Sequence, residues 1–446
     1  MIRGARQVGK TWLIRDLASS EGYRLVELNF EKRPDLESLF SSNDPKDIMI
    51  NLAALTGSKI EPSKTILFLD EIQAAPHLLA KLRWFAEDMP ELPVIAAGSL
   101  LDFALAQHEF SMPVGRIGYM YLEPLSFEEF LDAIGEVGLR SYLQNYDLKL
   151  QIPEALHTQL MKALKVYLVV GGMPAAVSSW ANEKAPEVIH QIHFDLLAIY
   201  RDDFAKYSGR LSIDRLEDIM NSVPRQLGKK FVYQNANAEV SSAPLKQALD
   251  LLSKARICHP IVATASNGLP LGAEANEKFF KVILLDSGLC SAALGLSLHQ
   301  MQTVSDIIMI NSGGMAEQLV GQMLRTTTLP YIPPSLYYWQ REKKGAEAEI
   351  DYVIQHEHLV IPIEVKAGTT GTLRSLHRFM EEKKKTMAVR VNSDFPTVCS
   401  IAMNQSSAYN LLSIPFYLVG QLHRLIPNMT QNLATRTRQS PGNRRS

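Results

Sequence analysis

Gly4, Gly9, Lys10 and Thr11 stand in GARQVGKT, the first stretch of the chain equipped for chemistry. Their spacing is G-x-x-x-x-G-K-[ST], a turn whose glycines let backbone N–H groups face inward onto phosphate oxygens. In that pattern Lys10 reaches the β- and γ-phosphates of a nucleotide and Thr11 ligates Mg²⁺. The helix starting there adds favourable partial charge. Sixty residues later TILFL runs into Asp70 and Glu71. A buried strand ending in an acid suits a magnesium-holding carboxylate, Asp70, and Glu71 beside it is placed to polarise an attacking water. The plain alternative for Glu71 is an acid at a helix N-terminus, favoured by the dipole. PVIAAGSLL then offers a strand ending at Gly98-Ser99, where Ser99 would lie between the other two strand ends and sense the γ-phosphate.

A second group lies in the last third. Asp351 is in AEIDYVI, and Glu364-Val365-Lys366 ends the next apolar run, LVIPIEVK. Glu364 and Lys366 are i and i+2, so both leave one face of that strand. Asp351 on the adjacent strand meets them, and Glu317 on the preceding helix completes the set. Two or three carboxylates would hold Mg²⁺, while Lys366 would steady a hydroxide or a scissile phosphate. An ordinary acid–lysine ion pair is the alternative.

The elements that must position these residues follow from periodicity. YRLVELNF, TILFL and PVIAA read as strands separated by helical stretches at 10–18 and 77–88, which predicts a parallel sheet covered on both faces. From about residue 127 the pattern is helical. From about 211 come short helices and then two strand-like runs, 257–263 and 278–285, an order that suits a winged helix. The last third reads helix, three strands, a polar helix at 372–384 and a strand at 386–391. After Asp394 there is no acidic residue, and the final stretch with Arg436, Arg438, Arg444 and Arg445 is too poor in apolar residues to pack.

GARQVGKT, ILFLDEIQ, AAGSLL, PVGRIGYMYLEPLSFEEFL and AEIDYVI…IPIEVKAG, in this order, resemble the prokaryotic AAA-type P-loop ATPases with a C-terminal domain of unknown function. The resemblance spans about residues 3–420. It implies an α/β fold with a P-loop NTPase parallel sheet, a helical and winged-helix middle and an α/β restriction-endonuclease-like C-terminal domain. The implied cofactors are ATP and Mg²⁺, with DNA or another nucleic acid and a second copy of the chain as candidate partners. Lys10, Thr11, Asp70, Glu71 and Ser99 map onto the phosphate loop, acid motif and sensor. Arg116, in PVGR, falls where the family has an arginine that answers to the γ-phosphate, in cis or from a neighbour; its alternative is a surface ion pair. The expected segments are 1–135 (ATPase), 136–210 (helical lid), 211–300 (winged-helix-like), 301–422 (endonuclease-like) and 423–446 (basic tail).

Only three residues precede the loop, whereas relatives carry a strand there, expected between the strands ending at Asp70 and Ser99. The reading is therefore that this strand is missing, through a wrong start or a truncated copy, and that ATP binding is weak or absent. An ATP-responsive, non-catalytic interaction or DNA-binding module is the competing function.

Composition sets looser bounds. Lys+Arg 46 against Asp+Glu 47 leaves a net charge of -1 over 446 residues, which favours no polyanionic partner by itself. The three cysteines, Cys258, Cys290 and Cys399, have neither disulfide nor zinc spacing, in keeping with a reducing compartment. No apolar run reaches the ~18 residues of a membrane span, so a soluble cytoplasmic protein is expected. His190 and His193 share a helix face without a third ligand, and a packed pair is the expectation. The 381–385 charge run is assigned no function. A solvated or ion-paired helix end is the default for Arg201-Asp202-Asp203, and phosphate contact at Lys229-Lys230 would rest on two lysines alone.

Overall fold

The computed structural model describes residues 1–99, 115–207, 212–303, 313–341, 347–366, 373–404 and 407–429. Leu100, Leu101 and the four arginines of the tail lie outside them.

Five strands form the first sheet: β1 (Ile2–Arg3), β2 (Arg24–Asn29), β3 (Thr65–Asp70), β4 (Val94–Gly98) and β5 (Met120–Tyr121). All pair in parallel, in the order β2-β3-β4-β1-β5. The expectation of a missing strand is therefore corrected. Ile2 and Arg3 pair with Ala97 and Gly98 on one side and with Met120 and Tyr121 on the other. Two residues carry no readable periodicity, yet flanking strands on both sides define them as a strand. The expected lane is corrected too. β1 lies between β4 and β5, because β4 pairs directly with β3. Ser99, just past β4, thus falls between the ends of β3 and β1, as the sequence suggests.

β3 is buried at all six positions, which parallel sheets covered on both faces require. Its alternate residues serve two cores. Ile66 and Phe68 pack with Ile14 and Ala18 of the helix Lys10–Ser20. Leu67 and Leu69 pack with Ile48 and Leu52 of the helix Pro45–Thr56 and with Leu78, Leu79 and Phe85 of the helix Leu78–Asp88.

The helices that follow begin with a capping box. Ser126 Oγ accepts from Glu129 N–H at 3.2 Å, and Glu129 Oε2 accepts from Ser126 N–H at 2.7 Å, which starts the helix Phe127–Ala133. Long helices at Glu154–Val170 and Pro186–Tyr207 continue this layer. Their core takes in Ala5 and Val8 from the phosphate-loop segment.

The second sheet has eight strands: β6 (Cys258–Thr264), β7 (Ala275–Leu284), β8 (Leu336–Arg341), β9 (Ala348–His356), β10 (Leu359–Val365), β11 (Met387–Asn392), β12 (Thr397–Asn404) and β13 (Ser407–Pro415). Their order is β12-β13-β11-β10-β9-β8-β6-β7. The helix Gly314–Thr326, then β8, β9, β10, the helix Arg374–Lys383 and β11 give the α-β-β-β-α-β order read from the sequence. Two features were not. β12 and β13 extend the sheet beyond β11. The β6–β7 hairpin is no free wing either: β6 pairs in parallel with β8, so one sheet crosses residue 300. Among the described residues no helix is long and apolar enough to cross a membrane.

Candidate nucleotide site

The phosphate loop links β1 to the helix Lys10–Ser20. Gly9 caps that helix at φ 97°, a left-handed state that favours glycine. At Gly4 a Cβ would come 2.6 Å from the Leu122 carbonyl oxygen, backbone that cannot step aside. Lys10 Nζ donates to the carbonyls of Gly4 at 3.0 Å and Ala5 at 2.8 Å. Burial draws its ammonium down to about 8, against the pull of Glu71 and Asp70.

Asp70 meets the loop where the sequence suggests. Its Oδ2 accepts from Thr11 Oγ1 at 3.1 Å and from Asn29 Nδ2 at 3.1 Å. Burial, and then the Glu71 charge, push its carboxyl above the usual range. Asn29 went unrecognised in the sequence. It is register-paired with Asp70, so the level end of β2 was the available signal. Glu71 sits at φ 50°, in the left-handed region that non-glycine residues seldom occupy, and strain of this kind gathers at functional sites. Its Oε2 accepts from Gln73 Nε2. Ser99 Oγ is buried, with no hydrogen-bond partner among the described residues. The loop and the end of β3 thus meet through Lys10, Thr11 and Asp70, with Glu71 next along the chain and Ser99 just past the neighbouring β4.

Arg116 does not join them. β5 runs parallel to β1, so residues preceding β5 lie at the opposite end of the sheet from the loop. There Arg116 Nη2 meets Glu87 Oε1 at 3.0 Å, with its side chain 46% exposed. A role on this chain's own γ-phosphate is corrected to a surface ion pair.

A 680 Å³ cavity opens beside the loop, bounded by Gly9, Trp12, Leu122, Pro174 and Val177, with Glu123 at its edge. Its largely apolar walls and volume suit a nucleobase and ribose. Two contacts tie the loop to the helix Pro186–Tyr207. Arg6 Nη1 donates to both carboxylate oxygens of Asp203 at 2.6 Å, and Tyr200 Oη donates to the Arg6 carbonyl at 2.9 Å. Asp203 is ion-paired, as the default for that stretch holds, but its partner lies inside the phosphate loop. His193 is buried and bonded through Nε2 to the Val170 carbonyl at 3.0 Å, and is a packed histidine.

The acidic group of the C-terminal domain forms a different arrangement. Lys366 Nζ meets Glu364 Oε1 at 3.0 Å, and Asp351 Oδ2 accepts from Val365 N–H at 2.8 Å. A lysine that the sequence reading passed over, Lys281 on β7, is buried in their midst. It contacts Glu317 at 3.0 Å, Glu349 at 2.5 Å and Asp351 at 3.7 Å. Among the described residues no three His, Cys, Asp or Glu side chains form a group suited to a metal ion. The three expected carboxylates thus each have a lysine beside them: Lys281 bridges Glu317 and Asp351, and Lys366 pairs with Glu364.

Burial, then Asp351, raises Glu317 to about 7 and Glu364 to about 8. Both values exceed those of an unfolded glutamate, so the folded state keeps protons the unfolded chain has lost. Stability therefore falls as pH rises from about 4.5 through about 8. Glu364→Gln should flatten that slope, checked by melting temperature against pH.

Family comparisons agree with this geometry. Residues 1–131 match an AAA domain, residues 161–300 a domain of unknown function (DUF8612) and residues 312–415 another (DUF4143). No curated protein matches the chain. Among solved structures it is similar to the Aeropyrum pernix ORC2 protein in ADPNP–ADP complexes, at 14% identity and a TM-score of 0.30. That match covers 68% of this chain and 87% of the other, a likeness too loose to assign anything here. With a phosphate loop, its partner acid on β3 and an AAA-domain match over the same stretch, residues 1–131 form a P-loop domain of the AAA type, and residues 312–415 match a C-terminal domain of unknown function.

Proposed function

We propose that the chain binds Mg²⁺·ATP in the cleft between β1, β3 and β4 and hydrolyses it. The Thr11–Asp70 contact at 3.1 Å carries this reading, because it joins the loop to the carboxylate strand. The donor set fits magnesium, which favours one or two carboxylates plus phosphate oxygens. When bound, Mg²⁺ would screen the charge on the β- and γ-phosphates.

The chain's own residues supply the rest. Lys10 leaves the Gly4 and Ala5 carbonyls and turns its ammonium to the phosphates. Thr11 and Asp70 hold the metal side. Ser99, whose hydroxyl has no partner among the described residues, donates toward the γ-phosphate. Glu71, steadied by Gln73, takes a proton from the attacking water as the water oxygen bonds to the γ-phosphorus and the bond to the β-phosphate oxygen breaks. The base and ribose rest against Trp12 and Pro174. Glu71→Gln should keep ATP binding and lower turnover about 10²–10⁴-fold, read by phosphate release at saturating ATP. Unchanged turnover would remove Glu71 from this role.

The C-terminal cluster favours a second, coupled reading: cleavage of a nucleic-acid phosphodiester with Mg²⁺ held by Asp351 and Glu364. What supports it is the buried Glu364 Oε2, which has no hydrogen-bond partner among the described residues, beside Lys366. Lys281 opposes it by its charge. Mg²⁺-dependent nicking of plasmid DNA that disappears in Glu364→Ala is the expected result; nicking that survives in the variant counts against it.

A further inference from the structure

A second cavity, of 410 Å³, lies between the helix Ser242–Lys254, the start of β6 and the segment leading into β8. Ser253, Arg256, His259, Glu277, Arg325 and Tyr337 are among its walls. Three of these residues present a buried polar atom with no hydrogen-bond partner among the described residues: Ser253 Oγ, Arg256 Nε and His259 Nε2. Orphaned polar atoms are rare inside proteins, and three in the wall of one cavity point to a missing ligand. Ser253 and Arg256 stand at the end of the helix and the turn after it, and His259 on β6 reaches the same space.

The chemistry of the three narrows what fills it. A guanidinium N–H only donates, a hydroxyl can donate, and a neutral imidazole can carry its single proton on Nε2. Burial, with the charges of Arg325 and Arg256 added, keeps His259 neutral. Arg256 and Arg325 share one carboxylate, Glu123, at 2.6 and 2.8 Å, so the cavity's inner end keeps an excess positive charge. Glu277, exposed at the rim, disfavours a highly charged polyanion. A metal cation is repelled by the guanidiniums, and an apolar guest would leave the three atoms unpaired. The volume exceeds that of a bare ion and falls in the range of small-molecule sites.

We propose that this cavity binds a small solute through an oxyanion, carboxylate or phosphate, gripped by Arg256 Nε, Ser253 Oγ and His259 Nε2. The site is distinct from the nucleotide cleft, although Glu123, which pairs with Arg256, also borders the nucleotide cavity. It does not require that the cleft bind ATP.

The test uses the full chain carrying Lys10→Ala, which disables the phosphate loop as a rival anion site. Inorganic phosphate and acetate are titrated separately by calorimetry, at ionic strength held with chloride. Saturable one-to-one binding of either is expected, and the stronger of the two identifies the oxyanion. Adding Ser253→Ala should weaken it about tenfold, the loss of one hydrogen bond to a charged group. That change is safe for the helix, since alanine is its best former. His259→Gln should weaken it similarly, with melting in anion-free buffer as the folding control. If neither anion binds saturably, or if Ser253→Ala titrates like its parent, the site is refuted. Failure of MgATP binding in the unmodified chain would leave these titrations untouched.

Discussion

Lys10→Ala should weaken MgATP binding by about a hundredfold or more. The ammonium is held at the loop's own carbonyls, and hydrogen bonds to charged groups contribute about 1.5–3 kcal/mol each. Two such bonds, one to each of two phosphates, reach that loss. Removing Lys10 should not weaken the nucleotide-free protein correspondingly. Among the described residues its buried charge has two carbonyls as hydrogen-bond partners, and burial lowers its pKa to about 8. A pH dependence follows. The phosphates attract the protonated amine, so affinity should hold below pH about 8 and decline above it as the free protein's Lys10 loses its proton. In Lys10→Ala this decline should vanish. Calorimetric titrations across pH check both statements.

Glu123→Ala should be among the most destabilising single substitutions of a charged residue. Its carboxylate binds Arg256 Nη2 at 2.6 Å and Arg325 through Nη2 and Nε at 2.8 and 3.0 Å. Burial alone would raise the Glu123 carboxyl, yet Arg325 and Arg256 outweigh burial and hold it below its ordinary value. Truncation leaves two guanidiniums, 5% and 13% exposed, without their shared anion. Breaking a buried pair this way costs about 3–5 kcal/mol. The loss should appear as a melting temperature several degrees lower, because each kcal/mol is worth about 2–4 °C in chains of some 150–250 residues and less in longer ones. Arg15→Ala is the contrast. Its pairing with Glu27 is on the surface, with Arg15 60% exposed, so melting should hardly move.

How much of this was legible in the residues depends on sequence distance. Lys10, Thr11, Asp70 and Glu71 sit in short motifs on runs with clear periodicity, so both their chemistry and their strand ends could be read. Strand order could not be. Nothing in TILFLD or VIAAG states that β4 pairs with both β3 and β1, and so β1 was assigned the wrong neighbours. A strand of two residues falls below any periodic signal and exists because β4 and β5 flank it.

The unseen site residues are long-range partners. Arg6 and Asp203 are 197 positions apart, and Arg325 and Glu123 are 202 apart. Each is unremarkable until folding joins it to the other. Lys281 escaped notice for the same reason, being one of two lysines in β7 and 36 positions from Glu317. The D…E-x-K spacing was readable and brought its residues together, but spacing cannot tell an ion pair from a metal cage. β12 and β13 were passed over because TVCSIAMN and SAYNLLSIP lack clean alternation.

Calorimetry of MgATP added to the unmodified chain tests the central claim most directly. One site per chain, saturable, dependent on magnesium and reduced about a hundredfold by Lys10→Ala is the expected outcome. No measurable binding, or binding indifferent to Lys10, would contradict the assignment of the cleft between β1, β3 and β4 to a nucleoside triphosphate.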